Sequence, residues 1–241
     1  MNTQPLSIAA LQNALSAERL HAYALPTDSD AIDSVARYLW NMALGASLQP
    51  ALHALEVTLR NHLYSHSERL IRGAGNAPVP PCWLDSSPTL LQFQEAESVR
   101  KAKEELMRIG RPLTPGRLVS KLGFGFWISL CKRPYEQGRA SGPAIWPAIL
   151  THGFPSLPRT NRTRSFIFNA LEPIRTIRNR VSHHEPIWDH SMIAIETQVL
   201  TTLGWMNPSL ADAIRSESVL PLEMQKGYSA YLPLAERVIR L

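Results

Sequence analysis

Leucines at positions 52, 55, 59, 63 and 70 fall on one stripe of a helix with 3.6 residues per turn, whereas an extended strand would scatter them over both of its faces. The same spacing of three and four recurs in Ile32, Val35, Leu39, Met42 and Ala46, and again in Ile167, Leu171, Ile174, Ile177 and Val181. No alternating apolar and polar run of useful length competes with it, and no repeat of the length of a solenoid unit is present. With 241 residues, 44% of them hydrophobic, the chain can bury a substantial core. The pattern predicts an all-α protein, a helical bundle with additional helices, as one domain over residues 1–241.

Punctuation along the chain gives the expected elements. Residues 6–24 read as a first helix, and Asp28, Ser29 and Asp30 supply caps for a second. Pro50 is expected to restart the chain as a third helix. The stretch 73–88, GAGNAPVPPCWLDSSP, is too rich in Gly, Pro and Ser to be helical and reads as a loop. A helix of mixed charge follows in QFQEAESVRKAKEELMRIG, and Thr114-Pro115 opens another that runs through KLGFGFWISLCK, with Phe124, Trp127, Ile128 and Leu130 inside. Residues 133–164 carry five prolines and several basic residues and read as an irregular connection holding one brief helix. Ser165–Glu185 is the cleanest helical stretch, and two more helices follow, one through MIAIETQVLTTLGWM and one after Pro208.

Charge and cysteine usage narrow the partners. Lys and Arg exceed Asp and Glu by five, and most of the basic residues are arginine, whose planar fork suits phosphate; the balance leans toward an anionic partner. Cys82 and Cys131 are too few for a disulfide framework and show no metal-ligand spacing. No apolar run reaches membrane-spanning length, and the first twenty residues lack the basic and apolar regions of a leader. A cytoplasmic protein without membrane contact is the expectation.

The chemistry concentrates in RNRVSHHEPIW, residues 178–188. Pro186 disfavours helical geometry at Glu185, so the helix is expected to end there with His183 and His184 in its last turn. The negative end of the macrodipole favours a cation at that place, which makes a proton donor available. At about 100° per residue, His184 falls beside the stripe of Ile174, Ile177 and Val181 and reads as the packing residue, while Asn179 and His183 share the other side. Arg178 lies five residues before His183, about 140° round the helix, so the two converge on one phosphate only if the arginine reaches round or a second surface closes over them. A two-fold partner presenting the same helix does both, which predicts a homodimer.

The string Arg178-Asn179-Arg180-Val181-Ser182-His183 resembles the Arg-x4-6-His signature, with Asn in second place, of the HEPN superfamily of helical ribonucleases. YLWNMALGASLQPALHALEVTLRNHL, GFGFWISL and IRNRVSHHEPIW, in that order, are similar to its abortive-infection (Abi-like) branch over roughly residues 35–190. The resemblance implies an HEPN-like bundle and an endoribonuclease that needs no cofactor or metal, its site composed across a homodimer. RNA is then the substrate, phage defence or a toxin-like role the setting, and an antitoxin or regulatory RNA a possible further partner. On that reading His183 is the acid/base, Arg178 the phosphate clamp and Asn179 a positioning residue, with Arg180 and His184 at the rim. Glu56, Arg60 and Asn61 are assigned to the rim as well, because the Glu-x3-Arg-Asn block is similar in Abi-like proteins; His66 follows Arg60 at a spacing that formally repeats the motif. The plainer account of Glu56 and Arg60 is an ion pair along one helix face.

Competing chemistries are poorer matches. His183, His184, Glu185, Asp189 and His190 cluster as metal ligands do, but not in an HExxH order, and Pro186 breaks the helix that would align them. No GxSxG turn is present, and neither cysteine has a histidine near it in sequence. The alternative of another class is a non-catalytic helical module that binds RNA or protein through the same basic face. Trp188 and Tyr135 read as core or cap residues rather than base-stacking platforms.

Overall fold

The computed structural model describes residues 8–28, 30–73, 82–86, 91–136 and 145–240, and among these every regular element is a helix. The described residues begin with α1 (Ile8–Leu15) and α2 (Ala17–His21), divided where the sequence predicted one helix. Ser16, at φ 67°, makes the break, and its hydroxyl accepts the Arg19 N–H to cap α2. Next comes α3 (Ala31–Gly73), whose first turn is capped by Asp30 accepting the Ile32 N–H at 2.7 Å. Ser29 and most of the 73–88 loop lie outside the described residues, which retain a 3-10 turn at Trp83–Ser86.

The expected restart at Pro50 does not occur, because α3 continues through it for 43 residues. A proline inside a helix leaves the carbonyl four residues earlier without its donor. Here Pro50 and Ala46 are both exposed, so water can serve that carbonyl. The buried stripe of Ala36, Trp40, Leu44, Leu48, Leu52, Leu55, Leu59 and Leu63 runs past it unbroken. Against the expected stripe, Ile32 and Val35 are inside, but Met42 is 56% exposed and Ala46 is exposed too.

Beyond this come α4 (Phe93–Arg108), α5 (Pro115–Lys121), α6 (Phe124–Ser129), α7 (Ile149–Gly153), α8 (Arg164–Ser182), α9 (Met192–Gly204), α10 (Pro208–Ser216), α11 (Leu220–Lys226) and α12 (Leu232–Arg240). Thr114 caps α5 as its sequence suggests, accepting the Arg117 N–H. The single helix expected through KLGFGFWISLCK is two, because Leu122 and Gly123 are extended and the Trp127 indole donates to the freed Leu122 carbonyl at 3.1 Å. Phe124, Trp127, Ile128 and Leu130 are all buried, as their spacing predicted. In the connection 133–164, residues 137–144 lie outside the described set, and the rest holds α7 between short 3-10 turns.

By its contacts the chain divides into two compact units. The first takes the residues up to Leu52, Ile177–Thr197 and those from Ile214 on. Its core joins Leu20, Ile32, Val35, Ala36 and Ala235, with Tyr228, Tyr231, Leu232 and Ile239 packed against them. The second takes His53–Thr176 and Gln198–Ala213, around fully buried Trp83, Trp127, Trp146, Phe124 and Phe154. There the Trp146 ring stacks on Phe154 at 6.1 Å and its indole donates to the Leu130 carbonyl at 2.7 Å. No helix among the described residues is long and apolar enough to cross a membrane.

Candidate functional site

The apolar stripe of α8 lands as expected: Ile167, Leu171, Ile174 and Ile177 are buried and Val181 is half-buried. Its carboxyl end does not. The helix stops at Ser182 rather than Glu185, and His183 and His184 form the turn beyond it. The Glu185 N–H reaches back to the Arg180 carbonyl at 2.8 Å and the His184 N–H to the Val181 carbonyl at 3.2 Å, with His184 at φ 56°. This is a Schellman cap, in which a left-handed residue lets two backbone donors fold back onto the last free carbonyls. A histidine occupies the position that glycine usually takes, so the helix ends four residues ahead of the proline that was expected to impose the stop.

That cap overturns the packing role expected of His184. The left-handed turn swings it off the helical phase, and its side chain is exposed; its carbonyl is held by the Arg19 guanidinium at 2.6 Å. His183 keeps the phase, its N–H bonded to the Asn179 carbonyl at 2.8 Å, and its exposed ring makes no hydrogen bond among the described residues. Arg178 and Asn179 are half-exposed on the turn before it. Arg180 turns away toward the following loop, where its guanidinium donates to the Pro186 carbonyl at 2.9 Å and meets the His190 Nε2 at 2.5 Å. With an arginine that can only donate, His190 Nε2 is the acceptor there.

Arg178, Asn179, Arg180, His183 and His184 thus share one helix end in the first unit. Glu56, Arg60 and Asn61 belong to the second unit: Asn61 is exposed, Glu56 and Arg60 are half-buried, and Arg60 Nε is shut from solvent without a hydrogen-bond partner among the described residues. His66 sits in that unit among imidazoles, its ring 5.8 Å from His62 and 6.3 Å from His152, with the His62 Nδ1 donating to the Gly153 carbonyl at 3.0 Å. Burial, helped by His62, Arg69 and His152, lowers the pKa of His66 below its ordinary value. Among the described residues no three His, Cys, Asp or Glu side chains converge to hold a metal. Cys131 is fully buried and its thiol is pushed up to about 12 by desolvation, which leaves no thiolate to attack anything at neutral pH. Tyr135 is core, its hydroxyl donating to Glu95 at 2.9 Å and accepting the Gln92 N–H at 3.1 Å.

One residue that holds the site was missed in the sequence. Asn41, 6% exposed, accepts the N–H groups of Ile187 (2.6 Å) and Trp188 (3.1 Å) through its oxygen. Its amide donates to the Glu185 carbonyl (3.2 Å) and the Tyr23 hydroxyl (3.1 Å). Asn41 thus gives the chain leaving the histidines three hydrogen bonds to α3. The signal lay in YLWN: a polar residue beside the apolar face, four after Arg37, must find partners if it is buried. Asn41→Ala orphans two backbone donors, and an unfolding titration should show a loss of about 2–3 kcal/mol. Asn41→Asp, which keeps both acceptor bonds, should lose less.

Beside the helix end a cleft of about 530 Å³ opens within the first unit. Met42, Gly45 and Gln49 on α3 form one side, with Tyr38 edge-on to Tyr23 at 5.4 Å, and Ser182 and His184 form the other. Fold and site together define an all-α protein with an imidazole-bearing, arginine-rich helix terminus next to a small-molecule-sized cleft. No family model, curated protein or solved structure matches the chain. The likeness to HEPN ribonucleases therefore rests on the quoted residue blocks.

Proposed function

We propose that this protein is a metal-independent endoribonuclease acting as a homodimer, in the manner of the HEPN superfamily. The observation that carries the reading is His183: an imidazole five residues after Arg178, just past the end of α8, exposed and with no hydrogen bond to its ring among the described residues, while nearby His190 is engaged by Arg180. Five helical residues place Arg178 and His183 about 140° apart, too far round for one chain to close both on a phosphate. A second copy related by a two-fold axis supplies the missing half, so that two imidazoles and two guanidiniums surround one phosphodiester.

The reaction then needs nothing further. One imidazole removes the proton of the ribose 2′-OH, whose oxygen attacks phosphorus; the other, as imidazolium, gives its proton to the departing 5′ oxygen. The products are a 2′,3′-cyclic phosphate and a 5′-hydroxyl end. Arg178 donates to the phosphoryl oxygens as their charge rises, and Asn179 orients the sugar-phosphate between the two helices. Phage defence or a toxin-like role, under the control of an antitoxin or regulatory RNA, is the setting the resemblance suggests.

The test is purified protein with mixed RNA in excess EDTA. Cleavage leaving cyclic or 3′-phosphate ends is expected, from a species that sediments as a dimer, and a monomeric variant with the motif intact should be inactive. Dependence on a divalent ion overturns the mechanism. Tight binding without cleavage assigns the chain to the non-catalytic RNA-binding class.

A further inference from the structure

We infer that the cleft between α3 and the end of α8 is a nucleobase subsite, taking the unpaired base of the nucleotide whose phosphate His183 attends; this rests on the ribonuclease reading. Ser182 and His184, the residues on either side of His183 in the chain, both line the cleft. A phosphate at His183 thus lies within one nucleotide of it. The volume, about 530 Å³, falls in the usual range of small-ligand clefts and exceeds what a single base needs.

The lining suits a flat heteroaromatic ring. Gly45 lets α3 run close to the half-buried Val181, and together with the exposed Met42 thioether, a soft and adaptable edge, they give the cleft its apolar lining. Tyr38, Gln49, Ser182 and His184 also line the cleft, and none of their side chains is hydrogen-bonded to another described residue, so each brings polar atoms that a base edge can engage. Unpaired RNA bases are read in this way, by stacking combined with hydrogen bonds to their exposed edges, which double-stranded RNA does not offer. The left-handed turn takes His184 off the helix phase, and in that conformation it is part of the cleft lining.

The experiment is calorimetric titration of the full-length protein with the four nucleoside 3′-monophosphates, and with inorganic phosphate as the baseless control. At least one nucleotide should bind roughly tenfold or more tighter than phosphate. Gly45→Leu, which adds a side chain at a lining position, should remove that advantage; its first carbon meets Val181 Cγ1 at 3.7 Å and Ile187 Cδ1 at 4.0 Å, ordinary contacts. Ala46→Leu, at an exposed lining position, repeats the test if Gly45→Leu folds poorly. In RNA cleavage both should raise KM roughly tenfold and flatten base preference, with kcat little changed. Nucleotides binding no better than phosphate, or a filled cleft with unaltered binding and preference, overturn the inference and leave the ribonuclease reading standing. Dissociation of the dimer by Ala46→Leu reassigns the cleft to subunit contact and also overturns it. A chain that binds nucleotides in the cleft but cuts no RNA overturns the reaction and keeps the subsite.

Discussion

His183→Ala lowers metal-free RNA cleavage by about 10²–10⁴-fold, the span that a positioned acid or base contributes, while the melting temperature and dimer stay as they were. The separation of activity from stability follows from where the ring stands. It is exposed and hydrogen-bonded to none of the described residues, so its removal orphans no buried group among them, and a substitution of that kind stays within about 0.5 kcal/mol. Arg178→Ala should be comparably inactive, and Arg178→Lys should recover little, because an ammonium keeps the charge but not the two-pronged fit to phosphate. Single-turnover cleavage of a short RNA, read beside a thermal melt, checks all three. An alanine at 183 that cuts at the wild-type rate ends the proposed chemistry.

What the sequence made legible was whatever depends on neighbours three and four residues away. The stripe of α8 and the burial of Phe124, Trp127 and Leu130 follow from local period and appear as expected. Pro50 was misjudged because its cost is local while the packing that offsets it is spread along the buried face of α3. The stop of α8 was misjudged for a related reason: proline announces a stop in sequence, but a left-handed histidine does not, since few side chains take that conformation and none is fixed to it. The role of Asn41 was illegible because its partners lie some 144 to 147 residues away in the chain, or 18 residues before it. Of the candidate site, the cluster around α8 was readable as a contiguous motif. The Glu56, Arg60 and Asn61 block was tied to it only by resemblance, and it falls in the other unit.

Arg37→Ala should be the most destabilising single change in the first unit, at about 3–5 kcal/mol, because it breaks a buried ion pair and leaves the partner charge behind. Arg37 is 2% exposed and grips Asp28 with both terminal nitrogens, at 2.5 and 2.7 Å, while also donating to the Tyr23 carbonyl at 2.9 Å. Its guanidinium lies over the Tyr228 ring at 4.6 Å and the Trp188 ring at 5.6 Å, so one cation gathers chain from before α3, from the loop after the histidines and from the C-terminal helices. Asp28→Asn combined with Arg37→Met should cost less than Arg37→Ala, since neither charge is then stranded. Acid gives an independent reading. Hydrogen bonds from Arg37 hold the Asp28 carboxyl below its ordinary pKa, so as pH falls the unfolded chain takes up that proton first. The contribution is complete above the usual aspartate range and is lost as pH drops through the lower, folded value; the stability gap between wild type and Asp28→Asn should close over that interval. Denaturant titrations from pH 7 to pH 3 measure both effects. Because Trp188 follows the histidines, Arg37→Ala should also lose RNA cleavage, but in proportion to the unfolded fraction and recoverably by cooling or a stabilising osmolyte, whereas His183→Ala should recover under neither.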